Sequence, residues 1–447
     1  MQNISIIDYI LLPIYLYIFY LIVRKRSVKY TDAWLRKALI TAFFLRMLGS
    51  VGYSLMVQYY YGYGDAFTFY YGSNFFRGQI LENPGNIKYL FSNAKEFMAW
   101  FNVEVGDINY AGYFGTGSNL FIMKIATLVS FFSFNSFLVI SLFFGLFSFA
   151  GQWKMFTVFN EINIQKHQRL LAWAVLYTPS IWFWGSGLMK DSICLGCMGF
   201  IIYFLYKIFV KKQARLKDLV LLFFLLFVVM QIKSYIIIIL GIALVTIIFA
   251  NLIASIKNFV IRAFVLMIFL FSMAITAFFT NFNAQVQSFA EEYILQIDNL
   301  HKSYEELQNA VENSEGGIVS INTNITLQGI ILQSPWAIFS CLYRPFIWES
   351  RKIIILLTSL ESMLLFFSTL FVIFRTGFFK AFKLLITDRY ILFSFIAATL
   401  FALLIGLTTF NFGTMIRYKI ILLPFYYFLL VRLYCNAVED NSETVIK

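Results

Sequence analysis

The sequence predicts an all-α polytopic membrane protein, on three observations. Of its 447 residues, 60% are hydrophobic and only 13% are charged, too few polar groups to clothe a water-soluble fold of this length. The apolar residues fall in runs near the roughly 20 residues that carry a helix across a bilayer. Runs such as Leu219–Met230 and Ile236–Ala250 do not alternate, as barrel strands would. A soluble enzyme, a disordered chain and a disulfide scaffold are excluded. Six prolines and 24 glycines exclude a collagen-like or low-complexity chain. The net charge of +12 would raise nucleic acid as a partner in a soluble protein; here it reports topology.

Eleven spans are expected, at 7–23, 38–58, 136–152, 170–185, 191–208, 217–232, 235–255, 259–279, 353–374, 390–408 and 418–434. Three basic segments share one parity: Arg24 to Lys37, Lys211 to Lys217, and Arg375 to Arg389. The positive-inside rule puts them in the cytoplasm, with the N-terminus outside and the C-terminus inside. The first span has no basic stretch before it and no small-residue cleavage site, so it is expected to be an anchor that starts at Asp8. Leu120–Phe132 is apolar but short. A crossing there would throw the basic loops out of phase, so a re-entrant or interfacial helix on the outer side is expected, with Lys124 at the interface.

Two large outer segments elaborate a single membrane domain spanning 1–447. The first, 59–135, is rich in Tyr, Gly and Asn. In the second, 281–352, Phe289, Tyr293, Ile297, Leu300, Tyr304, Leu307 and Val311 recur at helical spacing opposite an acidic face, which predicts an amphipathic helix. A further helix is expected over 326–343, ending at Arg344-Pro345. No internal repeat is visible.

Each short outer turn carries a cation: Lys190, Lys233, Arg344 and Arg417. The positive-inside rule disfavours cations there. A set of them suits an anionic lipid head group such as a polyprenyl phosphate. Local pairing, Lys190 with Asp191 and Arg344 with Glu349, is the alternative. Asp65 lies among tyrosines in Tyr59–Tyr71. A carboxylate in that aromatic, partly dry setting suits general-base work; a helix cap beside an interfacial tyrosine belt is the plainer use. Tyr63, Tyr70, Trp184 and Trp348 are candidate sugar platforms. Cys194 and Cys197 lie in an apolar helix and suit close helix packing better than a metal pair. His167 and His301 fall on opposite sides of the membrane, so no metal site is expected. Asp107 reads as a loop acid. Glu361 sits inside a span, where it would pair with a cation or line a cavity. No phosphate-binding loop, nucleophile elbow or zinc-protease motif occurs.

With these residues in view, the chain resembles the GT-C superfamily of polyprenol-dependent membrane glycosyltransferases. Gly64-Asp65-Ala66-Phe67, just after a span, matches the family's catalytic acid in the first large outer loop. Pro179 to Asp191, Tyr343 to Glu349, and Arg417 to Phe425 are similar to outer turns of related bacterial membrane proteins and polysaccharide polymerases. The chain departs from the family in three ways. Span 7–23 is an addition, Asp65 has no second acid two residues on, and no large C-terminal outer domain follows. The resemblance implies inverting hexosyl or pentosyl transfer at the outer face of a bacterial inner membrane. Asp65 would be the base, and Lys190, Lys233, Arg344 and Arg417 would hold the lipid phosphate. The implied partners are a lipid-linked sugar donor, a glycan, lipid or protein acceptor and the bilayer, with no nucleic acid. No cofactor is required; a divalent metal stays open, though the Asp-x-Asp motif is missing. The alternatives are a repeat-unit polymerase or ligase of surface polysaccharide, a flippase for a lipid-linked anion, and a structural subunit of an envelope complex.

Overall fold

The computed structural model describes residues 4–105, 113–163, 167–256, 258–279, 327–350, 353–409 and 411–445. The expected amphipathic helix over 289–311, Asp107 and His301 lie outside the described residues. Every regular element among the described residues is helical. Among the described residues seven helices are long and apolar enough to cross a membrane, or eight if one bent pair is a single span. The chain packs as two compact units, Met1–Ile238 and Ile239–Lys447.

Unit 1 begins with α1 (Ile6–Ser27). Ser5 and Asp8 form a capping box there, with Ser5 N donating to Asp8 Oδ2 at 2.9 Å. The other oxygen of Asp8 accepts from Ser136 Oγ at 2.5 Å and Leu138 N at 3.2 Å. One buried carboxylate therefore satisfies amides at the start of α1 and at the start of α6 (Phe137–Ile162), each otherwise orphaned. The helix α2 (Ala33–Met56) starts on an Asp32 cap and runs on through a π-helical turn to Tyr61. It packs on α1 and α6. The helix α3 (Asp65–Glu82) follows, then α4 (Ala94–Val105) and α5 (Gly117–Phe132), the short apolar segment whose crossing was in question. It lies against α3.

The expected span 170–185 is discontinuous. Gln168–Ala172 (α7) passes through a π-helical turn, and Thr178 turns extended before Pro179–Trp184 (α8). Pro179 lacks the amide that would continue the ladder. Arg46 of α2, 1% exposed, closes this break. Its guanidinium donates to Ile181 O at 3.0 Å, Gly185 O at 2.6 Å and Ser148 Oγ at 3.2 Å, and also to Gln152 Oε1. All four acceptors are neutral, and two of them are backbone carbonyls of and just past α8, so the cation serves the end of that helix. The helix α9 (Lys190–Leu205) packs on α6 through glycines. A Cβ on Gly151 would overlap Gly196 O, and one on Gly199 would overlap Gly151 O. Cys194 and Cys197 are free and buried beside this contact, as close helix packing requires. The helix α10 (Leu216–Lys233), apolar between charged ends, completes the unit against α9 and α5.

Unit 2 takes up most of α11 (Tyr235–Leu252) and then α12 (Phe259–Phe279). Phe249 and Phe269 stack with ring centroids 3.7 Å apart. The expected helix over 326–343 is α13 (Leu327–Tyr343). It is followed by α14 (Ile353–Thr376), α15 (Phe378–Thr387) and α16 (Arg389–Thr408). Asp388 caps α16 and pairs with Arg432 at 2.7 Å. The last expected span, 418–434, is bent: α17 (Phe412–Lys419) meets α18 (Leu423–Val445) at 61°.

Candidate functional site

Four helix ends meet in unit 1. The π-helical end of α2 stops at Gly62, φ 72°, and Gly64 at φ 134° leads into α3. L side chains rarely adopt either conformation, so the chain can turn here and present Asp65 as the first residue of α3. The N-cap position itself belongs to Gly64. Asp65 Oδ1 accepts from Tyr113 Oη at 3.0 Å. The start of α9 supplies Lys190 and Asp191, and the end of α10 supplies Lys233.

The expected pairing of Lys190 with Asp191 is not the one formed. Asp191, 1% exposed, is held by Lys233 Nζ at 2.5 Å. Lys190 instead donates to Ser118 Oγ at 2.9 Å, in the first turn of α5. Lys233, Asp65 and Asp191 lie within electrostatic reach of its ammonium. Among the described residues Lys190 makes one hydrogen bond, to a neutral hydroxyl. It keeps two donor positions for a ligand. The centre thus combines a carboxylate, a committed ammonium and a less committed one.

The candidate sugar platforms separate by exposure. Tyr63 is 64% exposed, with its ring 6.4 Å from that of Tyr61. Tyr70 donates to Asn135 O at 3.0 Å and packs on Phe137; burial pushes its phenol up to about 12. Trp184 is buried between Tyr53 and Phe183. Trp348, in unit 2, is 75% exposed and stacks on Phe346.

Arg344 and Arg417 belong to unit 2. Arg344 follows the expected local pairing: its Nε donates to Glu349 at 2.8 and 3.2 Å, and its Nη2 also reaches that carboxylate. The guanidinium lies over the rings of Trp336 and Phe412, at 5.5 and 5.0 Å. Arg417 lies over the ring of its neighbour Tyr418 at 5.2 Å. Beside them Lys419, 2% exposed, donates to Ser362 Oγ at 2.7 Å and reaches Arg344 O at 3.4 Å. Glu361 lies within electrostatic reach of its ammonium.

Sequence reasoning missed Tyr113, Ser118, Arg46 and Lys419. Arg46 carried a usable signal, because a cation in the middle of an apolar run must find acceptors. Tyr113 and Ser118 carried none beyond membership of the first large loop. Among the described residues no group of three His, Cys, Asp or Glu is placed to hold a metal. No protein family, curated protein or solved structure matches this chain.

Proposed function

We propose that this chain is a GT-C-like glycosyltransferase with eleven spans, working at the outer face of a bacterial inner membrane. Its N-terminus lies outside and its C-terminus inside. The observation that carries the proposal is the gathering of Asp65, Lys190 and the Asp191–Lys233 pair at four helix ends of unit 1. Asp65 takes the proton from an acceptor hydroxyl as that oxygen attacks the anomeric carbon of a polyprenyl-phosphate-linked sugar. The glycosidic bond forms, the bond from sugar to phosphate breaks, and the phosphate leaves with the electron pair. Lys190 and Lys233 stabilise the charge that grows on it. Tyr63 is positioned to lie against the sugar. Arg344 and Arg417, which belong to unit 2, carry no step in this proposal, and Glu349 already occupies the Arg344 fork.

The test is sugar transfer by the purified chain in nanodiscs, from a polyprenyl-phosphate sugar to added acceptors. Transfer that Asp65→Asn abolishes is expected. Transfer that survives Asp65→Asn overturns Asp65 as the base and favours a repeat-unit polymerase that works through its cations. A second reading, movement of a lipid-linked anion across the membrane, is favoured by the discontinuous segments at 168–184 and 412–438, since transporters build their sites on broken helices. Flipping of a fluorescent polyprenyl phosphate without sugar transfer would select it.

A further inference from the structure

One short turn touches both halves of the unit 1 centre. Tyr113 donates to Asp65, and five residues on, Ser118 accepts from Lys190. The turn is held from within. Asn119 Nδ2 and Thr116 Oγ1 both donate to Tyr113 O, at 2.8 and 3.1 Å, and Asn119 N donates to Thr116 O at 3.1 Å. It is also held from below. Phe114 is fully buried against Phe101 and fills the space over Gly72 of α3, where a Cβ would meet its ring. The Tyr113 ring lies 5.7 Å from that of Phe69. A phenol so anchored fixes the direction of the carboxylate it bonds. Ser118 is half-buried and hence reachable. A hydroxyl carries one proton and two lone pairs. Ser118 uses a lone pair on Lys190, and among the described residues its proton has no acceptor.

We propose that the Tyr113–Ser118 turn belongs to the site. Tyr113 is a positioning residue that orients the Asp65 carboxylate. Ser118 is a ligand, whose hydroxyl donates with Lys190 Nζ to the oxygens of one phosphate or pyrophosphate group. The role of Tyr113 rests on the transferase reading; that of Ser118 does not. A hydroxyl and an ammonium side by side are suited to a phosphate oxygen, because charge-assisted hydrogen bonds are about twice as strong as neutral ones.

The experiment uses the full chain in nanodiscs and reads two quantities, inorganic pyrophosphate affinity by calorimetry and steady-state sugar transfer. Ser118→Ala is expected to weaken pyrophosphate about tenfold, and Ser118→Thr, which keeps the hydroxyl, to stay within about twofold. Tyr113→Phe should leave that affinity within about twofold while lowering kcat about tenfold at unchanged KM. Equal affinity in Ser118→Ala and the wild type, or equal losses in Ser118→Ala and Ser118→Thr, overturns Ser118 as a ligand. An unchanged kcat in Tyr113→Phe overturns the positioning role. Pyrophosphate binding that depends on Ser118 in a protein that transfers no sugar ends the transferase reading and the role of Tyr113, and leaves the anion ligand standing. Sugar transfer indifferent to both substitutions leaves the transferase reading standing and ends the roles of both Tyr113 and Ser118. Competition by polyprenyl phosphate for the pyrophosphate site assigns the anion to a lipid carrier; its absence assigns it to a soluble phosphate.

Discussion

Each unit gathers cations near helix ends, and the two gatherings differ in what the cations face. In unit 2, Arg344 is gripped by both oxygens of Glu349 and covered by two rings. Lys419 is sealed beside Ser362 at the bend before α18. Lys419 also reaches the Arg344 carbonyl just past α13, as Arg46 reaches carbonyls of and just past α8 in unit 1. In the Asp65 centre only Lys233 is so committed; Lys190 rests on a neutral hydroxyl near a carboxylate that is itself held by a phenol. Cations that look alike in sequence therefore divide into those that finish the fold and those with donors in reserve. A buried charge with its partners in place is weak grounds for chemistry; a partly buried charge with spare donors is better grounds.

The comparison yields predictions of decreasing size. Asp65→Asn is expected to lower kcat by about 10²–10⁴-fold, the range of a lost general base, with the melting temperature near wild type. A variant that unfolds instead would put the unit 1 centre in the same class as unit 2. Lys419→Met should show the opposite pattern, a loss of about 2–3 kcal/mol from the stranded polar groups around it. Thermal melts in detergent read the loss, with turnover per folded molecule retained; a stable Lys419→Met that has lost turnover would make unit 2 catalytic too. Arg344→Lys keeps the charge but not the fork and should cost about 1 kcal/mol, read as a smaller fall in melting temperature.

The smallest effect concerns Lys124, a committed cation of unit 1. Its ammonium donates to Ser92 O at 2.7 Å and lies over the Phe97 ring at 5.2 Å. Burial pushes it down to about 8, against a smaller opposing pull from Glu96. Between that value and the ordinary lysine value of about 10.4 the unfolded chain holds a proton that the folded chain has released. Stability should therefore rise with pH across that window. Melting temperatures of the wild type and Lys124→Met over this range should diverge slightly, the wild type gaining more; parallel curves would show that Lys124 is not desolvated.

Much of the helical layout was legible because apolar run length and period are local properties. Spans 7–23 and 353–374 each fall within a single helix, 136–152 overruns its helix by the one capping residue, and 38–58 runs from α2 into the π-helical turn that continues it. The departures are local in cause and tertiary in remedy. Pro179 breaks the segment 168–184 in a way the sequence displays, but the remedy, Arg46, lies well over a hundred residues earlier in the chain. Likewise, the Lys190-Asp191 neighbours point to a pair, yet Asp191 takes Lys233 from another helix. Adjacent residues on a helix do not face one another, since i and i+1 lie about 100° apart around the axis.

The sequence by itself determined that this is a helical membrane protein, where its long apolar runs lie, and that Asp65 directly follows a glycine at the outer end of the second of them. Composition and periodicity carry that information residue by residue. Only the tertiary structure decided which cation meets which acid, and that Tyr113 and Ser118 belong with Asp65 and Lys190. Those contacts join residues 48 and 72 positions apart. Their geometry is set by how α3, α5, α9 and α10 pack, which no local pattern encodes.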